Sequence, residues 1–278
     1  MIESAKTETS ETVASHYDDL DPFYREIWGL HVHHGFWKTG DETINEATDA
    51  LVDNALKGAN LSPGSKVCDI GCGYGETSRY LAGKFGVNVT GVSVSENQLA
   101  FAATLAQHRD VNLLHRDWMD NGLPSGSFDL AFSIESSEHM PDLQKFFAEA
   151  YRVLKPGGRI RVCAWLAKKN PKRWELKHLL KPICSEGRLR LCEESEYRAL
   201  MEGVGFRNYH FEEITEAVKK TWTICIKRCV WKFLTDPKYL KFYVQGDSRN
   251  KKFILSLLRI RTAYETGSMK YGVFYAEK

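Results

Sequence analysis

The chain has 278 residues, of which 43% are hydrophobic and 27% are charged, and its formal net charge is only +2. This composition excludes an intrinsically disordered chain and one that binds polyanions over its whole surface. None of the seven cysteines forms a CxxC pair, so their spacing excludes a typical zinc site and favours reduced thiols. The polar N-terminus lacks the apolar run of a signal peptide, and no stretch has the ~20 apolar residues of a membrane span, so we expect a cytoplasmic location.

The first 60 residues precede any regular alternation of strands and helices, and we expect them to form an N-terminal cap. Residues 1–16 are polar and are predicted to be mobile, whereas residues 17–37 are dense in aromatic side chains and histidine. The apolar positions within residues 42–58 recur at helical spacing and predict an amphipathic helix.

From residue 66 onward, short apolar strands alternate with helix-length segments. Strands are predicted at 66–70, 87–94, 111–117, 128–135 and 159–166, and helices at 76–85, 96–108 and 141–154. The sequence KPGG at 155–158 is predicted to end the last of these helices with a turn. This alternation implies right-handed crossovers between parallel strands, and therefore a doubly wound α/β sheet.

The alternation changes after residue 167. A helix-rich stretch at 171–203 precedes a sixth strand at 204–214, and residues 268–278 alternate like a final strand. The stretch between them is basic and helical, so it is predicted to be a lid inserted before the last strand. The predicted organisation is a cap at 1–60, a core at 61–214, the helical lid at 215–266 and a final core strand at 267–278.

The segment from Asp69 to Gly75, with the sequence DIGCGYG, joins the first predicted strand to its helix. Glycines allow the backbone to turn tightly and to approach a ligand closely, and open sheets bind ligands at the carboxyl ends of their strands. The spacing is GxGxG rather than the GxGxxG of nicotinamide-binding proteins, which argues against a dehydrogenase. A tight turn that binds nothing is the alternative.

Four segments of residues 66–165 resemble class I S-adenosylmethionine-dependent methyltransferases: CDIGCGYGETSRYLA, GVSVSENQL, FDLAFSIESSEHMPD and RVLKPGGRI. The resemblance implies a Rossmann-like, doubly wound seven-stranded sheet, methyltransferase activity and S-adenosylmethionine as the cofactor. In this family the position of Asp69 supports the loop and the methionine end of the cofactor, and the positions of Gly71 and Gly73 lie against it.

The resemblance also implies which residues contact the ribose and the adenine. Many family members hold the ribose hydroxyls with an acid at the end of the second strand, where this chain has Ser93. Ser93 and Gln98 are therefore expected to take over these contacts. Asp117 and Trp118 fall where the family holds the adenine, because Asp can accept from the exocyclic amine and Trp can stack on the base. Trp118 is equally compatible with ordinary core packing.

Three further segments resemble γ-tocopherol methyltransferase-like small-molecule methyltransferases: IWGLHVHHGFW at 27–37, SIESSEHMPDLQKF at 133–146 and the C-terminal MKYGVFYAEK. This resemblance implies C-methylation of a phenol or prenylquinol ring on a small, apolar acceptor. Relatives that N-methylate alkaloids or O-methylate sugars leave open an N- or O-methyltransferase of a small natural product. A non-catalytic, cofactor-binding partner protein is the alternative from a different class.

Removing the hydroxyl proton of a phenol moves negative charge onto the ortho carbon, so a base is expected near the acceptor. The candidates follow the fourth predicted strand, at the switch point of the sheet: Glu135, Glu138 and His139. His139 has the side-chain pKa best suited to a base near neutrality, and Glu135 is the alternative. His139 is equally compatible with bracing the helix that follows. Sugar O-methyltransferases of this type carry a second acid on the fifth strand, where this chain has Ala164.

The cap holds a cluster of histidines and aromatic residues. The spacing of His31, His33 and His34 matches no zinc pattern, and no Cys or acid cluster completes it, so no metal is expected. The resemblance implies that aromatic residues of the cap fold over the cofactor, where their faces suit a sulfonium cation. These residues are Tyr17, Trp28, Phe36 and Trp37.

Twelve basic and two acidic residues lie between residues 217 and 261, which gives this part of the lid a net charge of +10. Trp, Phe, Leu and Ile side chains are interleaved with the basic ones, as in helices that bind a membrane interface. We therefore expect the lid to roof the pocket of a lipid-like acceptor and to associate peripherally with a membrane. A solvated lid that merely packs on the core is equally open. The apolar content argues against nucleic acid, and the sequence indicates no oligomeric state.

Overall fold

The computed structural model describes residues 1–4, 8–239, 241 and 248–278. A seven-stranded sheet lies at its centre. The strands are β1 (Lys66–Ile70), β2 (Asn88–Ser93), β3 (Val111–His115), β4 (Phe128–Ile134), β5 (Leu154–Ala167), β6 (Arg207–Glu213) and β7 (Met269–Glu277). The helices are α1 (Ser10–Ile27), α2 (Ile44–Ala55), α3 (Glu76–Phe85), α4 (Glu96–Ala102), α5 (Leu143–Val153), α6 (Arg173–Glu175), α7 (Lys181–Gly187), α8 (Glu194–Gly203), α9 (Thr215–Val218), α10 (Lys220–Thr235) and α11 (Ser248–Glu265).

The strands are ordered β3-β2-β1-β4-β5-β7-β6 across the sheet. Strands β1 to β5 pair in parallel, whereas β7 is antiparallel to both β5 and β6. The predicted Rossmann-like, doubly wound seven-stranded sheet is confirmed. The order reverses between β1 and β4, and such a reversal opens a crevice for ligands at the carboxyl ends of the strands.

Successive residues of each central strand pack on opposite faces of the sheet. In β1, Val67 belongs to one buried cluster and Cys68 to the other. Helix α2 and the lid helices α10 and α11 cover the first cluster, and α5 and α8 cover the second. All seven cysteines are buried and unpaired. The crevice is therefore held between two packed layers.

Helix α1 overturns the prediction that residues 1–16 are mobile, because it begins at Ser10. Thr9 caps it: the Thr9 hydroxyl accepts from the Thr12 backbone N–H, and the Thr12 hydroxyl accepts from the Thr9 N–H. Farther along α1, Asp18 accepts a hydrogen bond of 2.6 Å from the Ser95 hydroxyl. Local capping and a distant contact therefore order a segment whose polarity suggested mobility. Residues 5–7 lie outside the described part.

Two predicted boundaries are also wrong. The helix predicted at 96–108 ends at Ala102, because the side-chain amide of Gln107 donates to the Ala102 carbonyl and takes the place of a further helical turn. The KPGG sequence at 155–158 is part of β5 rather than a separate turn. Strand β5 starts at Leu154, which pairs with Phe128 before the register shifts by a bulge.

Helices α9, α10 and α11 lie between β6 and β7 along the chain, where a helical insertion was predicted. Residues 240 and 242–247 of the predicted lid, and the side chains of residues 248–251, 253 and 254, fall outside the described part. Within that part, no helix has the length and apolar character needed to cross a bilayer.

Candidate active site

One pocket opens at the carboxyl ends of the central strands and encloses about 980 Å³, including its open mouth. The structure brings all of the predicted site residues to its wall: Asp69, Gly71, Gly73, Ser93, Gln98, Asp117, Trp118, Glu135 and His139. Their roles stay predictions, but their convergence is a fact of the fold.

The three glycines of the loop serve different purposes. A Cβ on Gly71 would lie 2.3 Å from the Ser136 Cβ, and one on Gly75 would lie 2.6 Å from a Leu113 methyl group. A Cβ on Gly73 would meet only the Gln98 Oε1, at 3.6 Å. Close packing therefore requires Gly71 and Gly75, whereas Gly73 borders open space in the pocket. All three have positive φ angles of +54° to +78°, which favour glycine.

Asp69 is buried at the end of β1 and lines the pocket. Burial raises the pKa of its carboxyl to about 6, although a 2.6 Å hydrogen bond from the Ser78 hydroxyl favours the ionised form. Among the described residues, Ser78 gives it its one side-chain hydrogen bond. The carboxylate is thus short of donors, and this suits a ligand that brings a cationic group such as the ammonium of a methionine moiety.

Polar groups also line the rest of the cofactor side. The Ser93 hydroxyl accepts from the Ser95 backbone N–H at 3.2 Å, which leaves its own hydrogen free to donate to a ribose. The Asp117 carboxylate accepts from the Met119 backbone N–H at 2.8 Å. Trp118 is buried, and its indole N–H donates to the Phe146 carbonyl at 3.2 Å. Core packing therefore fixes the indole, and the same ring lines the pocket, so the two interpretations of Trp118 are compatible.

His139 is held by two hydrogen bonds. Its Nδ1 lies 3.1 Å from the Arg188 carbonyl oxygen, which can only accept, so Nδ1 carries the proton. Its Nε2 lies 3.0 Å from the Tyr17 hydroxyl and is left to accept from it. Burial lowers the pKa of His139 below 6.5, so the ring is neutral near pH 7. A neutral imidazole oriented by a carbonyl is suited to take a proton.

Glu135, the alternative base, is bound in a different way. Burial opposes its ionisation, but hydrogen bonds from the surrounding groups outweigh burial and lower its pKa below the usual value. The His34 backbone N–H, His34 Nδ1, the Trp165 indole and the Tyr271 hydroxyl all donate to it, at 2.7–2.9 Å. Its φ of +53° is rare for a residue with a side chain. A carboxylate held this tightly is a poor proton acceptor, so the geometry disfavours Glu135 as the base.

Glu138 lies next to His139 but does not line the pocket among its described residues. Burial raises the pKa of Glu138 to about 8, against a 2.6 Å hydrogen bond from the Trp165 backbone N–H. The neutral acid braces β5, so the structure gives it no place in proton transfer with a ligand.

The cap contributes different residues from those that the aromatic pattern suggested. Tyr17 lines the pocket, but Trp28, Phe36 and Trp37 do not, which corrects that expectation. Trp37 donates its indole N–H to Thr221 and packs the cap against the lid instead. His31 and His33 line the pocket beside Thr77, and the sequence had assigned them no role there. The described residues contain no cluster of three His, Cys or acidic groups that could hold a metal.

Comparison with known proteins identifies the family. Residues 4–231 match the family described as mycolic acid cyclopropane synthetase. The chain belongs to this family. It is 30% identical to a chloroplastic tocopherol O-methyltransferase of Arabidopsis thaliana, over 96% of this chain and 81% of that protein. It is 31% identical to the 27-O-demethylrifamycin SV methyltransferase of Amycolatopsis mediterranei, over 97% of this chain and 98% of that protein.

Two further matches agree with this placement. The chain is 30% identical to the 2-methyl-6-phytyl-1,4-hydroquinone methyltransferase of a Synechocystis strain, over 97% of this chain and 88% of that protein. Its fold matches the cyclopropane synthase MmaA2 from Mycobacterium tuberculosis with a TM-score of 0.85 at 23% identity, over 99% of this chain and 100% of that one. The chain is thus a class I methyltransferase that uses S-adenosylmethionine, as the sequence motifs predicted.

Proposed function

We propose that the enzyme methylates a ring carbon of a phenol or hydroquinone that carries a prenyl-like chain. The observation that carries this proposal is the chain of hydrogen bonds from Tyr17 to His139 to the Arg188 carbonyl, at the wall of the pocket. It places a neutral imidazole, with a fixed tautomer, beside a phenolic hydroxyl. Such a pair can draw the hydroxyl proton from a phenol bound next to it.

The proton moves through Tyr17 in this proposal. The acceptor hydroxyl donates to the Tyr17 oxygen while the Tyr17 hydroxyl donates to His139 Nε2, so one proton leaves the acceptor and one arrives on the imidazole. Burial raises the pKa of Tyr17 well above 10, so Tyr17 passes the proton on without being left ionised. The relay keeps the 3.0 Å hydrogen bond of the free enzyme intact.

Loss of the hydroxyl proton makes the ortho ring carbon nucleophilic. Bound S-adenosylmethionine would supply an electrophilic methyl group, and the bond from the ring carbon to it would form as the carbon–sulfur bond breaks. The ring carbon then loses its own hydrogen as a proton to water, which restores the aromatic ring, and the imidazolium of His139 returns its proton through Tyr17 to the phenolate oxygen. The pocket contributes by orienting the acceptor and excluding water, because α1 lies across its cofactor side and is tied to the Ser95 hydroxyl by Asp18.

Glu135 contributes a fixed negative charge rather than a base. Four donors hold its carboxylate in one position at the pocket wall. A preorganised anion can stabilise the imidazolium that forms when His139 takes up the proton. The Trp222 indole donates to His34 Nε2 at 2.6 Å, which fixes the His34 tautomer that donates to Glu135. The lid helix α10 is thereby connected to the charge at the reaction site.

The lipid-like acceptor is supported by the relatives. One is named for a phytyl hydroquinone and others for tocopherol. None of the described residues of β5 lines the pocket. Ala164, which the resemblance aligns with the second acid of sugar O-methyltransferases, is buried. O-Methylation of a natural product is the second candidate, since the Amycolatopsis relative is named for a demethylrifamycin and the same relay would serve it.

A turnover panel tests the proposal. The purified enzyme is incubated with S-adenosylmethionine and a phytylated hydroquinone, the same hydroquinone without its chain, a simple amine and a sugar. We expect the phytylated hydroquinone to give the highest kcat/KM and the amine and sugar to give none. Turnover of the sugar or amine alone would contradict the acceptor class, and cofactor binding without turnover of any member of a broad extract would favour a non-catalytic partner protein.

A further inference from the structure

Lid helix α10 carries apolar side chains on two opposite faces. At 3.6 residues per turn, Trp222, Cys225 and Cys229 lie on one face, and all three are buried. The opposite face carries Lys227, Val230, Trp231 and Leu234, which share one stripe at i, i+3, i+4 and i+7. We call these four residues the outer stripe.

The apolar members of the outer stripe are unusually exposed. Val230, Trp231 and Leu234 have 54%, 65% and 78% of their surface accessible. Single exposed apolar residues are common, but a contiguous group that includes a Trp marks a binding surface. Helix α11 packs against α10 and adds Leu255 and Leu258, with 48% and 49% exposed. Exposed apolar side chains therefore occur on both of these lid helices.

Several basic residues of the lid are paired with acidic residues elsewhere in the chain, so its free charge is smaller than the sequence count of +10. Lys232 and Lys238 both pair with Glu26, and Arg259 pairs with Glu186. These cations hold the lid to the rest of the chain. A second group is exposed and has no ion pair among the described residues: Lys227, Lys241, Lys252 and Arg261.

We propose that the outer stripe docks the enzyme on an anionic membrane surface. Trp and Leu side chains that project from a helix flanked by free Lys and Arg match the interface of a bilayer with anionic headgroups. Trp is favoured at that interface because one end of the indole is apolar and the other is polar. A second copy of the chain fits less well, because a symmetric contact would place two copies of the same basic surface against each other.

The position of α10 links this surface to the reaction site. Its buried face carries Trp222, whose indole donates to His34, and His34 donates to Glu135 at the pocket wall. None of the described lid residues lines the pocket, so the expectation that the lid roofs it is not met there. The buried face of the helix instead contacts the residue that holds Glu135, and the other face docks. A docked enzyme could take up a lipid-like acceptor from the bilayer. This last step rests on the proposed function, whereas the docking itself does not.

Vesicle co-sedimentation at low salt tests the docking without any acceptor. We expect the enzyme to bind vesicles of phosphatidylcholine and phosphatidylglycerol in a roughly 2:1 ratio at least about tenfold more tightly than vesicles of phosphatidylcholine alone. Raising the salt concentration should weaken this binding. No binding, or equal binding to both kinds of vesicle, would overturn the proposal.

Two variants localise the effect. Changing Trp231 and Leu234 together to Ser should lower the partition coefficient on the anionic vesicles at least about tenfold. The matched control is Trp174→Ser, because Trp174 is also exposed, at 45%, but lies outside the lid. It should bind like the parent enzyme. Affinity for S-adenosylhomocysteine should stay unchanged in both variants, which shows that they are folded.

Two outcomes would contradict the assignment of the outer stripe. Unchanged vesicle binding in the Trp231→Ser, Leu234→Ser variant would show that other residues dock the enzyme. A dimer of the parent enzyme in light scattering that this variant converts to a monomer would show that the stripe binds a second copy. Since the assay uses no acceptor, either result is distinguishable from failure of the proposed function.

Discussion

Replacing His139 by Gln tests the proton relay, because the amide of Gln can reach the region of Nε2 but cannot take up a proton. Proton transfer by a positioned side chain typically contributes about 10²–10⁴-fold to rate, which is about 3–5 kcal/mol of barrier. We expect kcat of the His139→Gln variant to fall by about 10²–10⁴-fold, with the affinity for S-adenosylhomocysteine nearly intact.

The structural cost of the same change is smaller and can be measured separately. His139 makes two hydrogen bonds, to Tyr17 and to the Arg188 carbonyl, at 3.0 and 3.1 Å. Each is worth about 0.5–1.5 kcal/mol net, so the variant should lose roughly 1–3 kcal/mol of folding stability at most. A chain that remains folded at 25 °C cannot lose its kcat through this cost. Steady-state kinetics and thermal melting of one preparation therefore distinguish a catalytic base at His139 from a residue that only stabilises the fold.

Tyr17→Phe completes the test. If Tyr17 and His139 act in series, each single variant should remove most of the effect, and the double variant should be little worse than the more damaged single one. At saturating S-adenosylmethionine, where the titration of Asp69 no longer limits cofactor binding, the acid limb of kcat/KM for the acceptor should also disappear in His139→Gln. In the parent enzyme the imidazole must be neutral, so kcat/KM should rise with pH through the His139 pKa, which burial places below 6.5. A near-normal kcat in His139→Gln would refute the relay. A loss of kcat that is matched by an equal loss of cofactor affinity in both variants would also refute it and leave His139 with a structural role only.

Further predictions concern the cofactor loop and two buried acids. Gly73→Ala should abolish most binding of S-adenosylhomocysteine in calorimetry. The control is Gly126→Ala, because Gly126 has a similar φ of +60° and nothing lies within 4 Å of the added Cβ; it should lower the melting temperature only slightly. Equal affinity of the two variants for S-adenosylhomocysteine would contradict the placement of Gly73. Because the pKa of Asp69 is about 6, S-adenosylhomocysteine should bind more tightly as the pH rises through about 6. Below that pH, binding should release the proton from the Asp69 carboxyl. Asp69→Asn should remove this pH dependence. The carboxyl of Glu138 has a pKa of about 8 in the folded chain and about 4.5 in the unfolded chain. Between these two pH values only the folded chain keeps the proton, so the contribution of Glu138 to folding stability falls as the pH rises. Glu138→Gln should flatten the fall in melting temperature between neutral pH and pH 8, and an unchanged slope would show that Glu138 is already ionised.

The features that the sequence predicted well are local ones. The order of strands and helices follows from short apolar runs separated by turn residues, and the glycine loop follows from its position after β1. The predicted cofactor residues all sit at strand ends or just beyond them, and in a parallel sheet such ends meet at one edge. That is why Asp69, Ser93 and Asp117 line one pocket although the chain separates them widely.

The features that it missed depend on contacts between distant parts of the chain. Tyr17 lies 122 residues before His139, and His34 lies 101 residues before Glu135. No local pattern predicts such pairs, so the sequence offers Glu135 as an alternative base without showing the four donors that hold its carboxylate. The aromatic density of the cap is visible in the sequence, but whether a ring faces the pocket or the lid depends on how the lid packs. Trp37 bonds to Thr221 for this reason.

The central claim is transfer of a methyl group to a ring carbon of a lipid-like phenol, and the most direct measurement is the position of the transferred label. S-Adenosylmethionine with a ¹³C-labelled methyl group is incubated with the enzyme and a phytylated hydroquinone, and the purified product is examined by NMR. The account predicts that the label is attached to a ring carbon ortho to a hydroxyl group, and that the His139→Gln variant forms the same product far more slowly. A label attached to oxygen, or no labelled product from an enzyme that still binds S-adenosylhomocysteine, would contradict it.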